Sequence, residues 1–364
     1  MGFHEDCLVL DGHTDVPTRL WECPANLGER LADRHVDLPR LREGGVDALV
    51  FALYVPSSLD PERGWKHAQE LHRISVEHVE AVEGMEIVVS AEDIRRVWRR
   101  GVAGVLFGLE NGRPLTVPGS LDACVKMGVR YVTLTHIGTH EWCDASTDEP
   151  RHGGLSGEGE GIVWDMTRRG IVPDVSHVSD DAVLHVLEVS RIPVVASHSS
   201  SKVLCDHPRN LPDSHIREIA RKVGVVMANS YPPFLSPEAS QADKKRGDEI
   251  RSELRDGEEA YLADPKNHWQ ERARLLSDRP LPEVPLSVYV DHLVHLIDVA
   301  GEEHVGIGTD FDGIPDTVAG FEDVSRFPDL TAALLDRGID KAGVKLILGE
   351  NFVRVLKKAE EAAG

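Results

Sequence analysis

Cysteine is scarce in this 364-residue chain and poorly arranged for cross-linking: Cys7, Cys23, Cys124, Cys143 and Cys205 are an odd number without a C-x-x-C pair. That pattern excludes a closed disulfide framework and a cysteine zinc site, so free thiols are expected. Long apolar runs are also missing, and no stretch approaches the ~20 consecutive apolar residues of a membrane-spanning helix. The first residues, MGFHEDCLVL, lack a basic segment followed by a long apolar run. A cytoplasmic protein without membrane contact is therefore the expectation. Basic charge is short as well, with 40 Lys and Arg against 62 Asp and Glu and a formal net charge of −22. Such a surface repels nucleic acid and anionic lipid, which leaves neither as an expected partner.

What the chain does have is a rhythm. Apolar, β-branched runs recur at Leu8 to Asp11, Ala48 to Tyr54, Gly104 to Leu109, Tyr131 to Thr135, Ile171 to Ser176, Pro193 to Ser197, Val223 to Ala228 and Val305 to Thr309. Helical patterns such as Ala68 to Val82 and Asp180 to Val189 lie between them. Near-continuous apolar strands alternating with amphipathic helices imply a parallel sheet covered on both faces, and eight of them imply a (β/α)₈ TIM barrel, α/β in class. A single domain over residues 1–364 accommodates this. One segment breaks the rhythm: Ser236 to Pro285, rich in Lys, Arg, Glu and Asp, reads as a charged helical insertion after the seventh strand, with a helix over Asp248 to Ala260. The glycine-rich Gly153 to Gly161 lacks the Lys and Ser/Thr of a phosphate loop and reads as a plain loop.

The residues that end the strands carry the chemistry. In LVLDGHTDVP the first strand stops at His13 and Asp15, two residues apart, which strand alternation can aim at one spot. A lone His-x-Asp is ordinarily a surface hydrogen bond. Here, however, the third strand ends in Glu110, the fourth in His136, the fifth in His177, the sixth in His198 and the eighth in Asp310. Barrel strands open their C-terminal ends onto one face, where active sites of this fold are built, so these side chains should converge. Four imidazoles and three carboxylates suit zinc or a similar divalent ion and exceed what one tetrahedral ion uses. A two-metal site follows, with Glu110 as the natural bridge and a water between the ions acidified towards hydroxide. Asp310, alone on the last strand, is the candidate general base and then general acid.

Two rival motifs fail. Ser199 to Lys202 satisfies S-x-x-K, but no S-D-N or K-T-G partner exists, and serine catalysis leaves the histidines unused. Asp310 to Gly313 begins like a calcium loop, yet Ile314 and Pro315 occupy positions that need a ligand and then glycine.

The segments DGHTD, GLENG, RYVTLTH, DVSH, SHSS with PRNLPD downstream, and GTDFDG followed by EDVSRFPDL together resemble the renal (membrane) dipeptidase family of the amidohydrolase superfamily, from about residue 8 to about residue 356. The resemblance implies two Zn²⁺ ions per chain, one held by His13 and Asp15, the other by His177 and His198, with Glu110 between them. It implies that His136 polarises the scissile carbonyl, that Asp310 moves the proton, and that Arg209 clamps the substrate carboxylate. The implied reaction is hydrolysis of dipeptides, including L-Xaa-D-Xaa, by a homo-oligomer, a dimer or larger. An N-acyl-D-amino-acid deacylase, a related amidase or a lactonase uses the same site chemistry and is the alternative. A non-catalytic metal-binding scaffold is disfavoured by the unligated acid at Asp310.

Overall fold

The computed structural model describes residues 2–254 and 258–363. Among these residues nine strands form one parallel sheet: β1 Leu10–Thr14, β2 Ala48–Tyr54, β3 Met85–Ile87, β4 Ala103–Glu110, β5 Val129–Thr133, β6 Val172–Asp174, β7 Val195–Ala196, β8 Val225–Ala228 and β9 Val305–Ile307. Their order is β1-β2-β4-β5-β6-β7-β8-β9, and β3 pairs only with β4, outside the ring. The ends meet where Thr14 bridges Phe311, and the Asp11 carboxylate accepts from the backbone and hydroxyl of Thr309. The result is the expected (β/α)₈ barrel, nearly closed, with all eight ring strands where the apolar runs lie. Only the three-residue β3 was not anticipated, being too short to carry a readable pattern.

Alternation sorts the strand residues into two cores. One cluster takes Leu10, Val50, Leu106, Tyr131, Val172, Val195 and Met227 from strands round the ring and is closed by Phe352 and Leu356 of the last helix, Asn351–Ala362. The other takes Leu49, Phe51, Leu53 and Phe107 and packs them against helices such as Pro61–Glu80. That division is the period of two expected of a strand buried on both sides. Glycine makes room inside the ring: a Cβ on Gly108 would meet the Tyr131 ring at 2.5 Å. Tyr131 therefore crosses the barrel interior.

Helices start where side chains can cap them. Asp60, Ser90 and Ser179 accept from the backbone N–H three residues on, and Pro61 occupies the first turn of its helix. The segment Gly153 to Gly161 is a loop only in its first half: a helix begins at Gly157, capped by Ser156. A Cβ on Gly159 would lie 2.2 Å from the Trp142 carbonyl, so glycine here serves close packing rather than mobility.

The charged insertion is helical, with helices Pro237–Glu253, Glu258–Ala263 and Pro265–Ser277. The helix expected over Asp248 to Ala260 instead ends at Glu253, and residues 255–257 lie outside the described residues. Arg246 ion-pairs with Asp243 and with Asp316, on the segment after β9. On the other side, the Arg19 guanidinium stacks 3.7 Å from the Trp269 ring and Tyr261 donates to Glu22, both partners lying on the helix Val16–Glu22 after β1.

Candidate metal centre

Every anticipated ligand stands at the C-terminal end of the ring. Glu110 is the last residue of β4, and Asn111 in the left-handed region, φ 79°, breaks the strand behind it. His177 and Asp310 are left-handed too, at φ 69° and 67°, conformations that disfavour a β-carbon and persist only where packing dictates them. The β1–β2 register shifts between Asp11 and Thr14. Without that irregularity His13 would share the outward parity of Val9; with it, the imidazole turns inward to Tyr131.

The two oxygens of Glu110 face different histidines. Oε1 lies 3.2 Å from His177 Nε2, 3.5 Å from His198 Nε2 and 4.0 Å from His136 Nε2; Oε2 lies 3.6 Å from His13 Nε2. His13 Nε2 is also 3.6 Å from Asp15 Oδ2, and the Nε2 atoms of His177 and His198 approach to 2.9 Å. Three sets of ligand atoms lie within 4.8 Å of one another: His13, Glu110 and His198; Glu110, His136 and His177; and His13, Asp15 and Asp310. Arg209 stands beside them, its Nη2 donating to the His198 carbonyl at 3.3 Å.

The donor set fits a divalent ion on grounds of hydrogen bonding. Among the described residues His13 Nε2, His136 Nδ1 and His177 Nδ1 are buried without a partner, and buried polar atoms are seldom left so. Mixed imidazole and carboxylate donors suit zinc and its neighbours. His13 Nδ1 is 2.8 Å from the Tyr131 hydroxyl, which itself donates to the Gly12 carbonyl. The phenol proton is thus committed, and the imidazole keeps Nε2 directed at the carboxylates.

The electrostatics divide the site. Burial, reinforced by the Arg209 charge, drives the His177 imidazole well below its ordinary range; burial and then His13 and Arg209 do the same for His198, and burial with Arg209 pushes His136 down. At His13 burial opposes the charge, but Tyr131, Glu110 and Asp15 outweigh it and raise the imidazole. Burial lifts the carboxyls of Asp15 and Asp310, each further raised by Glu110. Burial lowers the Arg209 guanidinium to about 10, and its Nε and Nη1 have no partner among the described residues. A buried guanidinium with two unspent donors is a fork for a carboxylate.

The structure also brings in residues that strand-end reading missed. Asn229, after β8, donates to Asp310 Oδ2 at 2.9 Å while its Oδ1 accepts from Tyr231 N. Tyr54 ends β2 and sets its ring edge-on to His136, 4.8 Å between centroids. Among the described residues these are the two ring strands whose ends carry no His, Asp or Glu, and an Asn or a Tyr at a strand end is the signal that marks them.

Comparison with known proteins agrees over the full length. A family model described as membrane dipeptidase, peptidase family M19, matches residues 2–364. The chain is 32% identical over 343 residues to dipeptidase tcpJ of Claviceps purpurea, covering 90% of this chain and 70% of that one. It is 31% identical over 382 residues to dipeptidase verJ of Clonostachys rogersoniana, covering 98% and 86%. The crystal structure of the probable dipeptidase PvdM from Pseudomonas aeruginosa is similar with a TM-score of 0.85 at 26% identity, covering 99% and 97%. A metallopeptidase from Rhodobacter sphaeroides, solved with a phosphinate mimic of L-Ala-D-Ala, shares the fold with a TM-score of 0.78 at 23% identity, covering 97% and 99%.

Proposed function

This chain belongs to the membrane dipeptidase family and is a metal-dependent dipeptidase, and from that premise we propose a binuclear zinc site that hydrolyses dipeptides, L-Xaa-D-Xaa among them. The observation that carries the reading is Glu110, whose two oxygens face His177 and His198 on one side and His13 on the other. His13 and Asp15 would hold one ion, His177 and His198 the other, and Glu110 both. When bound, such a pair would acidify a water and polarise a peptide carbonyl.

The chain's own groups do the rest. Arg209 takes the substrate carboxylate on Nε and Nη1, the two donors with no partner among the described residues, and so fixes a small substrate in one pose. His136, the most exposed of the four imidazoles with 20% of its side chain accessible, reaches the carbonyl and stabilises its developing negative charge. Asp310 accepts the proton of the attacking water and returns it to the leaving amine, a task suited to a carboxyl that burial has raised. Asn229 holds one Asp310 oxygen, leaving the other for this exchange. Because the clamp reads the carboxylate, the direction of the adjacent side chain is left to pocket shape, and a D-residue fits there. The whole of residues 1–364 is read as one catalytic domain.

A screen of L,L, L,D and D,L dipeptides, L-Ala-D-Ala included, beside N-acyl-D-amino acids and with zinc-loaded protein tests the proposal. Dipeptides should turn over fastest, and Arg209→Met should raise KM for them far more than for amides without a free carboxylate. Preference for N-acyl-D-amino acids would replace the substrate class, since they present the same carboxylate; an equal effect of Arg209→Met on both amide classes would remove the clamp.

A further inference from the structure

Below the candidate ligands lies a fully buried carboxylate that the proposed chemistry does not use. Asp174 ends β6, and four donors converge on it: Ser176 N at 3.0 Å and Ser197 N at 2.8 Å on Oδ1, and the hydroxyls of Thr133 at 2.5 Å and Ser197 at 2.6 Å on Oδ2. Four acceptances fill what an ionised carboxylate offers. Ser197 Oγ is in turn 2.6 Å from His198 Nδ1. A hydroxyl has one proton. With that proton given to Asp174, Ser197 Oγ accepts from His198 Nδ1–H, and the lone pair of the neutral ring falls on Nε2, the atom facing Glu110.

We propose that Asp174, acting through Ser197, is a positioning residue that fixes His198 in the tautomer whose Nε2 receives an ion. The inference rests on the reading of His198 as a ligand. It sets the two sides of the centre apart: His13 leans on a neutral phenol, whereas His198 leans on a hydroxyl polarised by a buried charge. Orienting partners of this kind typically account for 10–100-fold in metal affinity. Asp174 also ties β5, β6 and β7 together, so a purely architectural role is the competing explanation. Ser197→Ala separates the two, because it removes the link to His198 and leaves Thr133, Ser176 N and Ser197 N on Asp174.

The test titrates metal-free protein with Co²⁺, following visible absorption and bound metal by mass. Ser197→Ala and Asp174→Asn should weaken one ion about 10–100-fold and spare the other, and Ser197→Thr, which keeps the hydroxyl, should recover native affinity. Long-range ¹H–¹⁵N spectra of the metal-free, histidine-labelled protein should show the His198 proton on Nδ1, with that preference lost in Ser197→Ala. Native affinity for both ions, or an unchanged tautomer, in Ser197→Ala overturns the proposal. His198→Ala is the control: if it loses the ion that Ser197→Ala keeps, the positioning role fails, and if it too keeps both ions, the ligand assignment itself has failed.

Discussion

Gly313 sits so close to the acids of the site that a Cβ there would lie 2.4 Å from Asp15 Oδ2 and 2.6 Å from Asp310 Oδ1. No real β-carbon tolerates such contacts, so Gly313→Ala must push the carboxylates apart. A lowering of kcat by roughly 100-fold is expected from misplacement of that order, with a melting midpoint near native because only the site is disturbed. Asp310→Asn tests the proton transfer itself: it should retain its metal, measured by mass, and lose about 10²–10⁴-fold in turnover. Unchanged turnover would remove Asp310 from the mechanism. The seven His, Asp and Glu side chains were legible because each follows an apolar run at a strand end. Tyr131 and Ser197 were not, since their roles depend on contacts across 118 and 23 residues with His13 and Asp174 that no local pattern encodes.

Among the elements, the insertion after β8 holds two segments that carry site residues, the helix that follows Asp15 and the stretch that follows Asp310. Arg246→Met would leave Asp316 and Asp243 without their cation, and because these carboxylates keep 23% and 31% of their side chains exposed the loss falls between the surface and the buried case, on the order of 1–3 kcal/mol. We expect a lower melting midpoint and a reduced kcat/KM with bound metal unchanged, because Arg246 touches no candidate ligand. Loss of metal in this variant would show that the insertion acts on the ligands instead. The strands could be read from the sequence because a sheet buried on both faces demands unbroken apolar runs. The helix at Gly157 could not, because glycine is a poor helix former and the reason for it, the Trp142 carbonyl pressed against Gly159, is a tertiary contact. The edge strand β3 escaped for the opposite reason: three residues leave no period to detect.

At the scale of the whole molecule, the parallel barrel turns a scatter of polar residues over some 300 positions of sequence into one face, which is why a count of strand ends could anticipate that these side chains converge. One desolvated carboxyl leaves its own mark on stability. Asp47 accepts from Val9 N at 2.9 Å, but burial dominates and raises its carboxyl to about 7. Between the ordinary aspartate range and about 7 the folded chain therefore holds a proton that the unfolded chain has released, and stability falls as pH rises through that window. Asp47→Asn stays neutral and keeps an acceptor for Val9. Its melting midpoint should exceed that of the native protein by about 2–4 °C at pH 8 and match it near pH 4; a constant difference would mean that Asp47 is not strained by burial. The central claim, a two-ion centre bridged by Glu110, is most directly tested by anomalous scattering at the zinc edge from zinc-loaded crystals. Two peaks are predicted, one against His13 and Asp15, the other against His177 and His198, with the Glu110 carboxylate between them. A single peak, or two that do not share Glu110, would contradict it.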